Sequence, residues 1–204
     1  MKGQQNRIEL VTTPGENCSH VSHVRNVSDH EVATGILGYF GNKGGVAVRL
    51  DFHNTSLCFV CSHLAAHQTE VDRRNQDYQQ IMTGLQQEFI SRGLKINDST
   101  DRNRTLGCDQ VFWVGDLNYR LNELDASDVK TSLHSGKYQQ LFLYDQLNIE
   151  RRKRRCFEGF EEGPIEFQVW SLTQFFSVDF SLSRIGVKKC VFNKRTFKVC
   201  VCCC

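Results

Sequence analysis

The chain has 204 residues, a formal net charge of +2, 40% hydrophobic and 24% charged residues, which suits one soluble globular domain of ordinary size. That charge argues neither for nor against a nucleic-acid partner, and no apolar run is long enough to span a membrane. The polar opening Met1-Lys2-Gly3-Gln4-Gln5 leads to no secretory h-region, so the default expectation is a cytosolic protein.

Residues 1–30 are polar with little periodicity and read as a divergent or poorly ordered surface segment. His20, His23 and His30 fall here, at spacings that fit no helix face and no known metal-ligand pattern. Order begins near Ala33. Five glycines between Ala33 and Gly45 predict a tight loop, in which Gly41-Asn42-Lys43-Gly44-Gly45 lets backbone N–H groups approach an anion beside the Lys43 charge. Val46–Phe52 alternates as a half-buried strand, His53–Ser56 turns, and Leu57–Cys61 returns, so 46–61 predicts a hairpin. Cys58 and Cys61 form a C-x-x-C inside that return strand and would point to opposite faces, which disfavours a zinc or redox pair. The Asn-X-Ser/Thr matches, Asn54-Thr55-Ser56 among them, count as chance without a secretory signal.

After Ser62-His63-Leu64-Ala65-Ala66-His67, a long helix is expected. Val71, Tyr78, Ile81, Met82, Leu85 and Phe89 repeat at three and four residues, Glu70, Asp72, Arg73, Arg74 and Asp77 fill the other faces, and Ser91-Arg92-Gly93 is the stop. Val111–Val114 then reads as a buried strand ended by Gly115, with Asp116 and Asn118 just beyond it. Two readings stand for that corner: an Asx-type turn, or a ligand site at a strand end. Short helices are expected over about 125–134 and 137–150, with Leu141, Tyr144 and Leu147 inward. Arg151-Arg152-Lys153-Arg154-Arg155 is a solvated helix end, its alternative being contact with phosphate, anionic lipid or nucleic acid. Beyond Gln168 a Phe-, Val- and Cys-rich stretch shows no clean period and ends in Cys200-Val201-Cys202-Cys203-Cys204, which is not a prenylation box. It reads as a tail foreign to the domain.

Three pieces converge chemically: the Gly-rich loop with Lys43, the strand-end histidine His63, and the Asp116/Asn118 corner. A carboxylate that orients water, with an amide and an imidazole that steady charge on phosphate oxygens, makes a phosphoryl-transfer site completed by a divalent cation.

The segments Gly41-Asn42-Lys43-Gly44-Gly45-Val46-Ala47-Val48, Ser62-His63-Leu64-Ala65-Ala66-His67, Arg73-Arg74-Asn75-Gln76-Asp77-Tyr78, Trp113-Val114-Gly115-Asp116-Leu117-Asn118-Tyr119-Arg120 and Phe157–Gln168 resemble the inositol polyphosphate 5-phosphatases. The type II branch, that of the Lowe oculocerebrorenal syndrome protein, is the most similar. The resemblance implies an α/β fold of the endonuclease/exonuclease/phosphatase (DNase I-like) type, a two-sheet sandwich flanked by helices. It implies Mg²⁺-dependent removal of the 5-phosphate from phosphoinositide lipids and soluble inositol phosphates, at a peripheral membrane surface such as an endomembrane, with no nucleic acid. Carried over residue by residue, Asp116 positions the attacking water, Asn118 contacts the scissile phosphate or the metal-bound water, and His63 stabilises the transition state. Asn42 and Lys43 line the rim, and His67, Asn75 and Arg120 are further substrate-side candidates whose alternatives are capping and ion pairing.

The departures from that family are as informative. Its N-terminal Trp-Asn strand and the Gln-Glu motif whose Glu holds Mg²⁺ have no counterpart here, so the metal ligands are unknown. After Phe167-Gln168 the motif that reads the 4-phosphate and the Ser-Asp-His carrying a catalytic histidine are also missing; Ser28-Asp29-His30 matches only by coincidence. The expected organisation is therefore an N-terminal segment 1–30, a partial phosphatase domain 31–168 truncated at both ends, and an unrelated tail 169–204. Two further hypotheses remain beside the inactive fragment: a nuclease of the same superfamily, and a shortened isoform that binds phosphoinositide or protein without turnover.

Overall fold

The computed structural model describes residues 20–34, 43–94, 105–122, 124–163 and 191–193. Its strands are β1 (Val24–Ala33), β2 (Gly44–Phe52), β3 (Thr55–His63), β4 (Gln110–Asp116), β5 (Phe160–Glu162) and β6 (Val191–Asn193). They form one sheet in the order β1-β2-β3-β4-β6-β5. Within it β3 and β4 run parallel, and the other neighbours pair antiparallel. A parallel pair needs a crossover, and α1 (Val71–Ser91) supplies it. The architecture is α/β, as expected; the described strands make up one sheet of the expected sandwich.

The hairpin forms where the alternation predicts it, with His53 and Asn54 at the turn between β2 and β3. Cys58, Val60 and Ser62 are buried on one face, while Leu57, Phe59, Cys61 and His63 are half-buried on the other. Cys58 and Cys61 therefore do point apart. Helix α1 covers the first face with Ile81, Leu85 and Phe89. It sits so close to β2 that a Cβ on Gly45 would lie 2.8 Å from Ile81 Cγ2, so a glycine is required at that contact. The helix ends as its Arg-Gly sequence predicts, with Arg92 N–H bonded to the Glu88 carbonyl and Gly93 at φ +78°.

Four local expectations are corrected. Most of β1 falls in the stretch 1–30 read as a surface segment; it is the sheet's edge, where polar alternate residues are tolerated, and just beyond that stretch Val32 packs on the core. On α1, Arg74 and Asp77 are buried rather than on an outer face, because both bond to the chain leaving β3. Residues 137–150 are not one helix. A 3₁₀ stretch, Tyr138–Leu143, gives way to α3 (Gln146–Arg152), because the Asp145 side chain caps the N–H groups of Leu147 and Asn148. That break turns Tyr144 outward to 38% exposure, while Leu141 and Leu147 stay buried. The preceding short helix α2 (Ala126–His134) forms as expected. From the C-terminal tail, Val191–Asn193 enters the sheet against Phe112 and Trp113 of β4; residues 164–190 and 194–204 lie outside the described residues.

The core centres on Trp113, fully buried on β4, with ring contacts to Tyr78, Phe157 and Phe160 at 5.2, 5.2 and 6.1 Å. Its indole N–H donates to Ser62 Oγ at 2.8 Å on the neighbouring strand. Ser62→Ala strands that buried donor and is expected to cost about 1–3 kcal/mol, read as a lower urea midpoint at unchanged slope.

Candidate functional site

The site is built at one end of three adjoining strands. Register pairs Gly44 with His63 and His63 with Asp116, so Lys43, His63 and Asp116 meet where β2 begins and β3 and β4 end. Lys43 Nζ lies 2.6 Å from His63 Nε2, and His63 Nε2 lies 3.7 Å from Asp116 Oδ2. Gly115 makes the approach possible: at φ +128° a Cβ there would fall 2.0 Å from the Ser62 carbonyl oxygen. Just beyond, Leu64 N–H donates to the Asp116 carbonyl at 3.0 Å, which ties together the chains leaving β3 and β4.

Asn118 sits in the left-handed region at φ +54°, which asparagine tolerates. Its N–H donates to Asp116 Oδ1 at 3.2 Å, and its Nδ2 donates to the Leu64 carbonyl at 2.9 Å. The Asx-type turn is therefore present, and it is what aims Asp116: one carboxylate oxygen is held by the turn and the other faces His63. The Asp116 side chain remains 58% exposed.

Charge sets the state of the corner. Burial and the neighbouring Lys43 lower the pKa of His63 against the pull of Asp116. Burial also lowers Lys43, while Asp116 and Asp77 oppose it. A neutral His63 then accepts the Lys43 proton donor at Nε2, which puts its own proton on Nδ1.

The remaining sequence candidates separate. Asn42 lies outside the described residues. His67 is exposed, and its backbone carbonyl accepts from Arg74 at 2.6 Å. Asn75 is buried with both ends of its amide engaged: Tyr119 Oη donates to its Oδ1 at 2.6 Å and its Nδ2 donates to Glu150 at 2.8 Å. Arg120 is also buried, its backbone N–H held by Gln146 Oε1 at 2.8 Å. Asn75 and Arg120 are thus brought into the scaffold behind the corner rather than into the corner. Four scaffold residues, Arg74, Asp77, Gln146 and Glu150, were not singled out from sequence. The apolar stripe of α1 extended back one turn from Tyr78 lands on Arg74 and Asn75, which was the available signal.

The five-cation run is largely consumed by this scaffold. Arg155 grips Glu150 at 2.5 and 2.7 Å and reaches Asp72 at 3.5 Å, Lys153 approaches Glu150 at 3.6 Å, and Arg151 bonds the Phe160 carbonyl. Burial pushes the Glu150 carboxyl up, but Arg155 and Asn75 outweigh it and hold it below the usual carboxylate range. An open groove of about 440 Å³ beside the run is lined in part by Arg151, Arg152, Arg154 and Phe157.

The family profile described as Endonuclease/Exonuclease/phosphatase family 2 matches residues 4–169. The chain belongs to that family. Among curated members, it is 44% identical over 152 residues to the mouse type II inositol 1,4,5-trisphosphate 5-phosphatase, covering 73% of this chain and 14% of that protein. The chain therefore spans a small part of this relative. A solved inositol polyphosphate 5-phosphatase domain of SPsynaptojanin, in complex with inositol (1,4)-bisphosphate and calcium, superposes with a TM-score of 0.62 at 32% identity, over 86% of this chain and 48% of that one. A Cimex nitrophorin superposes at 0.58 over 86% of this chain and 56% of that one; at 17% identity it shares the fold alone. Resemblance to the 5-phosphatases, and the DNase I-like fold it implied, both hold.

Two measurements check the geometry of this family member. The His63 ring should titrate below an ordinary histidine by NMR, move up in Lys43→Met and further down in Asp116→Asn. Because the unfolded chain takes the proton first, His63 should also weaken folding as pH falls below about 6.5. Insensitivity of the ring to Lys43→Met would contradict the contact. For the scaffold, Asn75→Ala should lower stability by about 1–3 kcal/mol in urea unfolding, as expected for a buried two-sided amide.

Proposed function

We propose that the chain carries the water-positioning half of an inositol polyphosphate 5-phosphatase site. The parent protein, on this reading, removes the 5-phosphate from phosphoinositide lipids or soluble inositol phosphates with Mg²⁺. The observation that carries it is the meeting of Lys43, His63 and Asp116 at the ends of adjoining strands. The 5-phosphatase relatives, and the inositol bisphosphate and calcium bound to the solved neighbour, support the substrate class and the use of a divalent cation.

Asp116 is assigned to orient the attacking water, since its carboxylate is exposed and aimed by the Asn118 turn. Asn118, whose amide is held beside the corner by the Leu64 carbonyl, is assigned to contact the scissile phosphate. Lys43 and neutral His63 steady the charge that grows on the phosphoryl oxygens. Asn42 stays a rim candidate and His67 a further substrate-side one; Asn75 and Arg120 act by holding the Asp116–Arg120 loop in place.

Mg²⁺ seeks several oxygen ligands, and the corner offers one carboxylate and one amide beside an ammonium group. Among the described residues, no group of three or more His, Cys, Asp or Glu is arranged to hold a metal ion. The donor set does not fit the ion. We therefore assign this chain no turnover by itself. The same incomplete set favours the second reading, a shortened form that binds phosphoinositide or a protein partner without hydrolysis. No helix among the described residues is long and apolar enough to cross a membrane. The substrate class, phosphoinositide lipids, is what points the parent protein to a peripheral role on the cytoplasmic face of an endomembrane.

Mg²⁺-dependent phosphate release from a 5-phosphorylated inositol lipid separates these assignments. Equal background release is expected from the chain and from Asp116→Ala. Release by the chain that Asp116→Ala abolishes would sink the inactivity while supporting the role of Asp116.

A further inference from the structure

Three histidines gather at the end of the hairpin remote from the catalytic corner. His20 precedes the 3₁₀ turn Val21–His23 that leads into β1, His23 ends that turn, and His53 occupies the turn between β2 and β3. Nothing in the phosphatase reading uses them. His20 Nδ1 lies 3.2 Å from His53 Nε2. The His23 ring stacks on that of His53 with centroids 4.0 Å apart, and the His20 ring stands 5.4 Å from His53 and 6.1 Å from His23. All three are exposed, so an ion can reach them from solvent.

We propose that His20 and His53 form a two-point chelate for a divalent transition-metal ion of the zinc, nickel and copper class, with His23 packed against it as a supporting ring. Two zinc–nitrogen bonds of about 2.0–2.1 Å at a tetrahedral angle place their nitrogens roughly 3.3–3.4 Å apart, close to the spacing already present. The ligands are preset by backbone: His53 N–H donates to the His23 carbonyl at 3.0 Å, and Arg25 donates to the His53 carbonyl at 3.2 Å. Neutral imidazoles are the form that binds metal. On binding, the proton shared between Nδ1 and Nε2 moves to the far nitrogen of its own ring, and both facing lone pairs take the ion.

Ligand chemistry selects the metal. The two donors are imidazole nitrogens, which suit zinc, nickel and copper, and hard Mg²⁺ prefers oxygen. The nearby Asp51 carboxylate is already held by Arg49 at 3.0 Å and by Asn26 at 2.6 Å. The corner at His63 lies at the other end of β3, about 30 Å away for an extended strand, so this ion would be separate from any catalytic cation. Its effect would be to fasten the start of edge strand β1 to the hairpin turn.

The test is a Ni²⁺ titration of the full reduced chain, with accessible thiols alkylated so that the cysteine-rich C-terminus does not compete. Imidazole NMR signals are the readout. Signals of His20 and His53 should broaden first, His30 should remain sharp, and Mg²⁺ should leave all of them unchanged. His53→Asn, which tolerates the left-handed turn at φ +53°, and His20→Gln should each weaken the response at the remaining ring at least tenfold; His30→Gln should not. Equal broadening of every histidine, persistence at His20 in His53→Asn with the fold intact, or no broadening at all would overturn the proposal.

Discussion

The parallel pairing of β3 with β4 is the constraint on which the site depends. Antiparallel neighbours can be joined by a short turn, as β2 and β3 are, but a parallel pair needs a crossover long enough to return the chain to the same end. Helix α1 is that crossover, and its cost in ordered residues is offset by burying Tyr78, Ile81, Leu85 and Phe89 on the sheet. Because both strands then finish at one end, His63 stands opposite Asp116 in register. Gly115 lets β4 press against Ser62 at the last step before the carboxylate. The corner is a consequence of topology before it is a matter of side-chain chemistry.

Behind it lies a block of buried polar groups, hydrogen-bonded to one another except at Arg74 Nε and at two of the Arg120 guanidinium nitrogens. Arg74, with no exposed surface, donates to the carbonyls of Ala65 and His67 and to Gln146 Oε1. Asp77 accepts from Ala65 N–H at 2.9 Å and from Arg73 at 3.1 Å. Burial pushes Arg74 down and Asp77 up, so solvation opposes both charges and the hydrogen bonds must offset it. Hydrophobic packing could stabilise the same volume, but it could not hold carbonyls and N–H groups of the chain leaving β3 at fixed positions. The polar block fixes the path of residues 64–68, and through it the position of His63.

Much of this was legible in the sequence, for identifiable reasons. Alternation in 46–61, the apolar repeat from Tyr78 to Phe89 and the Gly after Val114 each express a local period or a backbone requirement. The hairpin, α1 and β4 accordingly form where they were expected. The edge strand β1 was not legible, because an edge needs few apolar residues. Arg74 and Asp77 were misjudged for a related reason: residue type alone puts charged groups outside, and only the tertiary fold reveals the backbone carbonyls and N–H group they bond. His63 and Asp116 could be named from motif and strand-end position, yet the contacts of His63 with Lys43 and with Asp116 depend on register, which a single sequence does not display.

The choice between turn and site at Gly115–Asn118 dissolves once the hydrogen bonds are known, since the turn is what orients the carboxylate. What limits the corner is its charge balance. Lys43 already places a cation against His63 and within the field of Asp116. At about 4 Å, unit charges interact by roughly 4 kcal/mol at a typical effective dielectric near a protein surface. A single exposed carboxylate that offsets Lys43 has little left to hold a divalent ion against the same ammonium group. Additional acidic oxygen is therefore required before a metal can enter, whereas an anionic phosphate meets a corner already furnished for it. That asymmetry makes anion recognition the part of the chemistry this stretch of chain can supply, and makes metal binding the part that must come from residues beyond the described corner.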